Sequence, residues 1–268
     1  MREFVIVEEG DDIVLKKYTG NDSKVIIPNG VTIIELNCFE DYKNLTSIEI
    51  PSTVKEIGSY AFSGCINLIS VEIPNSVTKI GYNAFRGCTN LKNLSISDSV
   101  FFIGTYAFSY CVGLKEITMP KSSKYIGYDI FAHCDNLKYN EYDNGLYLGN
   151  SDNPYYVLIK AKNEKITTCE IHRDTKVIAD YAFEYCENLE RIEIPNGITR
   201  LGEGVFNWCF NLKNIVIPSS VTKMDRHVFV NFDLEKCENV KIICEKGSFA
   251  ETFAKLLDMK VEIIEKML

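Results

Sequence analysis

The sequence predicts an α/β solenoid: a curved parallel β-sheet whose strands are joined through short helical or 3₁₀ turns, capped by an N-terminal β-hairpin and a C-terminal helix. Three observations carry this. Proline or a substitute recurs every 23 residues at Pro28, Pro51, Pro74, Ser97 and Pro120, and the series resumes at His172, Pro195 and Pro218. Eleven residues after each of these eight positions stands a phenylalanine: Phe39, Phe62, Phe85, Phe108, Phe131, Phe183, Phe206 and Phe229. Apolar and polar residues alternate just ahead of the proline positions, as in Ile48-Glu49-Ile50 and Val71-Glu72-Ile73, the period of a strand with one face inward.

Taken in order, residues 1–27 read as an N-terminal cap. Phe4 to Val7 and Ile13 to Lys16 flank the turn-like Glu9 to Asp12, and Val25 and Ile27 begin the first rung. Residues 28–142 hold five repeats. Residues 143–171 lack the Ala-Phe and Cys columns; Gly145 to Gly149 and Tyr155 to Lys160 flank Asn150 to Pro154 as a second hairpin, and Ile166 to Ile171 forms the next rung. Three repeats follow over residues 172–244, the last loosened where residues 231–236 replace the usual turn and Cys237 and Cys244 fall out of column. Residues 245–268 form the C-terminal cap: a capping box at Ser248 and Glu251, a helix with Phe249, Phe253, Leu256 and Leu257 at helical spacing, and a strand from Val261 to Ile264. The whole of 1–268 reads as one elongated domain, because a lone 23-residue unit cannot bury enough apolar surface to fold and neighbours must complete its core.

Within a unit, the proline ends the ladder because it has no N–H to donate. A short extended piece such as Val54 to Ile57 follows, Gly58 marks a bend, and the Ala-Phe-x-x-Cys segment reads as one helical or 3₁₀ turn. Asn44, Asn67, Asn90, Asn136, Asn188 and Asn211 precede the leucine column, with side chains suited to bonding turn backbone. The repeated strings GSYAFSGCINLISVEIP, GYNAFRGCTNLKNLSIS and GTYAFSYCVGLKEITMP resemble the BspA-like leucine-rich repeat family. That resemblance implies a leucine-rich repeat solenoid and a setting in cell-surface attachment, adhesion and protein binding.

Hydrophobic content of 46% and charged content of 25% fit a folded domain. The net charge of -8 argues against nucleic acid, which requires clustered Lys and Arg. No apolar run is long enough to span a membrane, and the start MREFVIVEEGDD lacks the basic and apolar regions of a signal peptide, so either the protein stays in the cytoplasm or the given chain lacks its leader; the family resemblance leaves a cell surface open. Of its ten cysteines, Cys65, Cys88, Cys111, Cys134, Cys186 and Cys209 share one repeat column, whose side chains point the same way; buried thiols, not disulfides, are expected. No zinc, phosphate-loop or dinucleotide motif is present and no cofactor is expected. His133, His172 and His227 occupy different columns without a nucleophile partner, which disfavours an enzyme.

Candidate ligand-binding residues are the outward positions of the strands: Ser47, Glu49, Ser70, Glu72, Asn93, Ser95, Glu116, Thr118, Arg191, Glu193, Asn214 and Val216. Among them Glu49, Glu72, Glu116 and Glu193 suggest an acidic strip. The hairpin insertion adds Tyr147, Tyr155 and Tyr156 as candidates, although packing on the neighbouring units is the favoured role for these aromatics. Trp208 shares a column with Tyr110, His133 and Tyr185, where stacking along the array is expected. The expected partner is a protein or glycan; an intracellular scaffold is the competing reading.

Overall fold

The computed structural model describes residues 3–229 and 240–265 and divides the chain into two compact units, one through Lys138 and one from Tyr139. Unit 1 opens with the antiparallel hairpin of β1 (Phe4–Glu9) and β2 (Asp12–Tyr18). Each repeat then contributes two strands, not one: β3 (Lys24–Ile26) and β4 (Ile33–Ile34), β5 (Ser47–Glu49) and β6 (Glu56–Ile57), β7 (Ser70–Ile73) and β8 (Lys79–Ile80), and β9 (Asn93–Ile96) and β10 (Phe102–Ile103); β11 (Tyr125–Ile126) closes the series. The first of each pair forms the parallel ladder β3-β5-β7-β9, and the second forms β4-β6-β8-β10-β11, onto which the hairpin docks through β2. Ile34, Ile57, Ile80, Ile103 and Ile126 stack in register along this second ladder, each fully buried. The hairpin thus covers the first rung through that ladder, matching its expected role.

Of the two expected forms, the Ala-Phe-x-x-Cys segment takes the 3₁₀ one. Ala61 N–H donates to Gly58 O and Ser63 N–H to Tyr60 O, the i to i−3 bonds of a 3₁₀ turn. The alternate donors turn to the next repeat: Tyr60 N–H reaches Tyr82 O at 2.9 Å and Phe62 N–H reaches Ala84 O at 2.7 Å. A helix would spend all its donors within itself, so this segment forms linked turns that stitch one repeat to the next. The alternation holds residues such as Tyr60, Tyr106, Tyr181 and Trp208 in the left-handed region, with φ of 55°, 57°, 57° and 60°.

Inside the turns the phenylalanines stack face to face. Ring centroids lie 5.1, 5.0, 5.4 and 5.6 Å apart from Phe39 through Phe131, with interplanar angles of 11–15°. Cys65, Cys88, Cys111 and Cys134 point into the same core, and each Sγ–H donates to the carbonyl of the phenylalanine in the preceding repeat at 3.1 or 3.2 Å. The nine described cysteines are buried thiols. Burial pushes Cys38, Cys65, Cys169 and Cys186 up to about 12, so they stay protonated and unreactive near neutral pH.

Close stacking leaves no room at the bends. A Cβ on Gly81 would lie 2.5 Å from Ser59 N and 2.7 Å from Gly58 C, backbone atoms that cannot swing away. Gly81→Ala is therefore expected to lower the stability of unit 1 by about 1–3 kcal/mol, read as a fall in the urea midpoint at constant slope.

Unit 2 begins with β12 (Asn140–Tyr142), β13 (Gly145–Leu148) and β14 (Val157–Ala161), and the hairpin of β13 and β14 matches the one expected. The remaining elements are β15 (Thr168–Glu170), β16 (Val177–Ile178), β17 (Arg191–Glu193), β18 (Arg200–Leu201), β19 (Asn214–Ile217), β20 (Lys223–Met224), β21 (Lys241–Glu245), α1 (Phe249–Leu256) and β22 (Lys260–Ile264). β14 pairs in parallel with β16, as β2 does with β4, so the internal hairpin repeats the docking of the first one. The main ladder of unit 2 runs β15-β17-β19-β21-β22. Ser248 caps α1 through a bond from Glu251 N–H, while Glu251 accepts from Gly247 N–H, one residue earlier than a standard capping box. The apolar face of α1 is Ala250, Phe253 and Ala254; Phe249 and Leu256, expected to be inward, are exposed, because at helical spacing they fall at the flanks of the stripe that runs through residues 250, 253, 254 and 257. Cys237 and residues 231–236 lie outside the described residues.

Candidate functional site

The outward residues of β5, β7 and β9 share one face of the first ladder, because side chains alternate along each strand and the register pairs Ser47 with Ser70, Ser70 with Asn93 and Glu72 with Ser95. Beyond β9 this ladder stops. Residues 115–120 form no strand, although the turn and second-ladder bonds on either side of this repeat continue, with Phe102 and Ile103 of β10 still paired to Tyr125 and Ile126. The cause is legible in the asparagine column. Asn67 Nδ2 donates to Lys43 O at 2.9 Å, Asn90 Nδ2 to Asn67 Oδ1 at 3.3 Å and Asn136 Nδ2 to Val112 O at 2.7 Å, each tying its repeat to the previous one. The corresponding residue in the intervening repeat is Gly113, which has no amide to give. Its backbone settles so close to the preceding repeat that a Cβ would lie 2.8 Å from Leu91 O. Past this pinch the chain leaves the ladder, and the rungs meet again where Lys121 N–H donates to Asp98 Oδ1 at 3.0 Å.

Over this face lies a groove of about 1010 Å³, lined by residues of four consecutive repeats from Ile48 to Glu116. Its outward side chains are Ser70, Glu72, Asn93 and Ser95, with the half-buried Leu94 between the last two. Leu94 and Ile117 are half-buried there, whereas Ile48 and Val71 in the same inward column are 8% and 3% exposed. Lys92 and Lys115 stand together at the end where the strands begin, and both are exposed. Among the described residues neither ammonium has a carboxylate within ion-pair distance.

The structure thus brings together Ser70, Glu72, Asn93, Ser95 and Glu116 in one groove, with Ser47 and Glu49 beside them on β5; Thr118 is exposed but does not line it. It does not assemble a single acidic strip. Glu49 and Glu72 occupy one column, Glu116 falls in the next column and lies 3.8 Å from Lys138, and Glu193 belongs to unit 2, where Arg191 approaches it to 3.9 Å. In unit 2, Arg191 is exposed, Asn214 is half-buried, and Val216 is buried at 6% where an outward position is expected.

Tyr147 is not available to a ligand. It is fully buried under the hairpin, its Oη accepts His172 N–H at 3.2 Å, and burial holds its phenol well above the ordinary value. Tyr155 and Tyr156 are half-buried. Tyr155 stacks on the His172 ring at 4.1 Å, Tyr142 meets that ring edge-on at 4.7 Å, and His172 Nδ1 accepts Asp174 N–H at 3.2 Å, so this histidine is held as packing. Tyr110 stacks with His133 at 4.4 Å and Tyr185 with Trp208 at 5.8 Å, the expected aromatic column. Lys92, Leu94, Gly113 and Lys115 were missed by strand alternation alone; a glycine interrupting the asparagine column is the signal that marks them.

Among the described residues no group of three His, Cys, Asp or Glu is placed to hold a metal ion, and no helix is long and apolar enough to cross a membrane. No curated protein matches the chain. Solved structures that it resembles include a leucine-rich cell surface protein from Faecalibacterium prausnitzii (25% identity, TM-score 0.41, covering 93% of this chain and 95% of that one). A leucine-rich repeat protein from T. pallidum is 23% identical with a TM-score of 0.43, over 97% of this chain and 96% of that one. Another, from Bacteroides ovatus, is 21% identical with a TM-score of 0.37, over 98% of both. The sequence profile of the BspA type leucine rich repeat region matches in six copies over residues 17–138 and 161–256. The chain therefore belongs to the BspA-type leucine-rich repeat family.

Proposed function

We propose that this protein is a non-catalytic interaction module that takes a protein ligand on the strand face of unit 1, over β7 and β9. The observation that carries the reading is the groove on this face: serine, asparagine and mixed charge from successive rungs around the half-buried Leu94, a concave surface of the kind repeat arrays use for binding. A protein is favoured over a glycan because none of the lining residues carries an aromatic ring on which a sugar could stack. The setting proposed is a cell surface, as the family resemblance implies.

The test begins with a partner recovered on the full-length chain, purified and titrated back while backbone hydrogen exchange is followed. Slowed exchange at residues 70–72, 93–95 and 115–118 is expected, together with at least tenfold weaker binding by a Ser70→Arg/Ser95→Arg variant, whose changes sit on exposed positions. Unchanged affinity in that variant, or protection confined elsewhere, overturns the reading. A glycan that binds with protection at these same residues would replace the protein as ligand class. The buried thiols favour a second reading, an intracellular scaffold kept in a reducing compartment; recovery of the native protein solely in the cytosolic fraction would select it.

A further inference from the structure

We infer that a second copy of this chain docks head to tail on the first, its β22 adding antiparallel to the outer edge of β1 with Lys260 opposite Glu8. Each of these strands ends its ladder: β1 closes the sheet of unit 1 on the hairpin side, and β22 closes the main ladder of unit 2. Among the described residues both outer edges are open. Residues 4–9 make backbone bonds to β2 and residues 260–264 to β21, and no other backbone bond reaches either segment. Val5, Ile6 and Val7 are exposed one after another, at 46%, 39% and 42%, and so are Glu262 and Ile263. Successive side chains point to opposite faces, so both faces of each strand reach solvent there. An open edge is a template for main-chain pairing, which proteins usually blunt with lysine, proline or a very short strand. β1 is six residues long and contains neither lysine nor proline.

Side-chain pattern selects the partner and its direction. In the antiparallel register that sets Glu8 opposite Lys260, Val7 meets Val261, Val5 meets Ile263 and Phe4 meets Ile264. Val5, Val7, Val261 and Ile263 then share one face as a continuous apolar patch. The one mismatched pair is Ile6 with Glu262, whose carboxylate is held by Lys241 at 2.5 Å. Glu9 is likewise taken by Lys16 at 2.6 Å, which leaves Glu8 and Lys260 as the charges on the two edges without an ion pair among the described residues. Other pairings fit worse. Parallel addition sets Phe4 against Lys260 and Glu8 against Ile264, and two copies of β1 have no cation on either strand to meet Glu8. Two copies of β22 match Lys260 with Glu262 only by overlapping residues 260–262, which leaves Ile263 and Ile264 with no strand opposite. Because the contacting surfaces differ, the contact is heterologous: each docked pair keeps one β1 and one β22 free for a further copy.

Sedimentation velocity of the full chain over a concentration series is the test, and a sedimentation coefficient that rises with concentration is expected. Val5→Glu and Ile263→Glu, both at exposed positions, should each weaken self-association at least tenfold by setting a carboxylate against the apolar patch. Mixing the two variants should yield a one-to-one dimer that grows no further, since the first supplies an intact β22 and the second an intact β1. A parent chain whose sedimentation does not change with concentration overturns the proposal. Association that survives in either variant also overturns it, as the sign of an isologous contact through the unaltered strand, and so does a mixture that stays monomeric. Far-ultraviolet circular dichroism of each variant should match the parent. If one misfolds, Glu8→Lys and Lys260→Glu take their place: each should associate at least tenfold more weakly alone and regain the affinity of the parent when mixed, because every contact in the mixture again sets a lysine against a glutamate.

Discussion

Replacing Phe85 by alanine is expected to destabilise unit 1 by about 3–5 kcal/mol, enough to abolish cooperative folding in a marginal array. Phe85 is fully buried and stacks on both neighbours, with ring centroids 5.0 Å from Phe62 and 5.4 Å from Phe108. Its truncation removes a ring from the middle of a column, leaves a void with rigid turn backbone around it, and breaks two aromatic contacts at once. In a repeat array each unit is held mainly by its neighbours, so an interior defect costs more than one at either end of the column. Urea denaturation followed by far-ultraviolet circular dichroism is the check. Phe85→Leu, which keeps most of the volume, should lose distinctly less, and a loss below about 1.5 kcal/mol for the alanine variant would show that the column is not the axis of stability.

Asp180→Ala is the counterpart in unit 2. The Asp180 carboxylate is 2% exposed, accepts from Arg200 Nη1 at 3.0 Å and from Glu203 N–H at 3.1 Å, and so joins two successive repeats by one charged and one backbone bond. Removing it strands the Arg200 guanidinium, itself only 19% exposed, without its carboxylate. A loss of about 3 kcal/mol is expected, the low end of the range for breaking a buried ion pair because Arg200 keeps some contact with water. The double variant Asp180→Leu/Arg200→Met should recover much of that loss, since it removes the stranded charge along with its partner. A double-mutant cycle with coupling near zero would remove this pair from the account of unit 2.

Much of this architecture could be read from the sequence because stacking repeats the same packing problem. The phenylalanine, isoleucine and leucine columns recur at a fixed step since each must meet its own counterpart in the next unit, and the hairpin of β13 and β14 announced itself by breaking that step. The second ladder was less visible. Its strands are two residues long, as at Glu56–Ile57, too short to show alternation. Tyr147 could be read as a contact residue or, preferably, as packing, because β-hairpin patterns do not say which face is covered; its ring is fully buried in the hairpin whose β14 pairs with β16. The groove was hardest of all to foresee. It arises from a side chain that is missing at Gly113, and strand alternation marks what a residue contributes, not the opening left when a tie to the previous repeat is omitted.

The thiol column has a consequence for how this protein can be watched. Each Sγ–H of Cys65, Cys88, Cys111 and Cys134 is sealed by the repeat before it, and Cys209 in unit 2 is bonded in the same way to Phe183 O at 3.1 Å. An alkylating reagent can reach one of these sulfurs only when two adjacent turns part. The native chain therefore carries a natural set of position-coded reporters, and the order in which its cysteines become labelled under mild denaturant is a map of where the array first comes open.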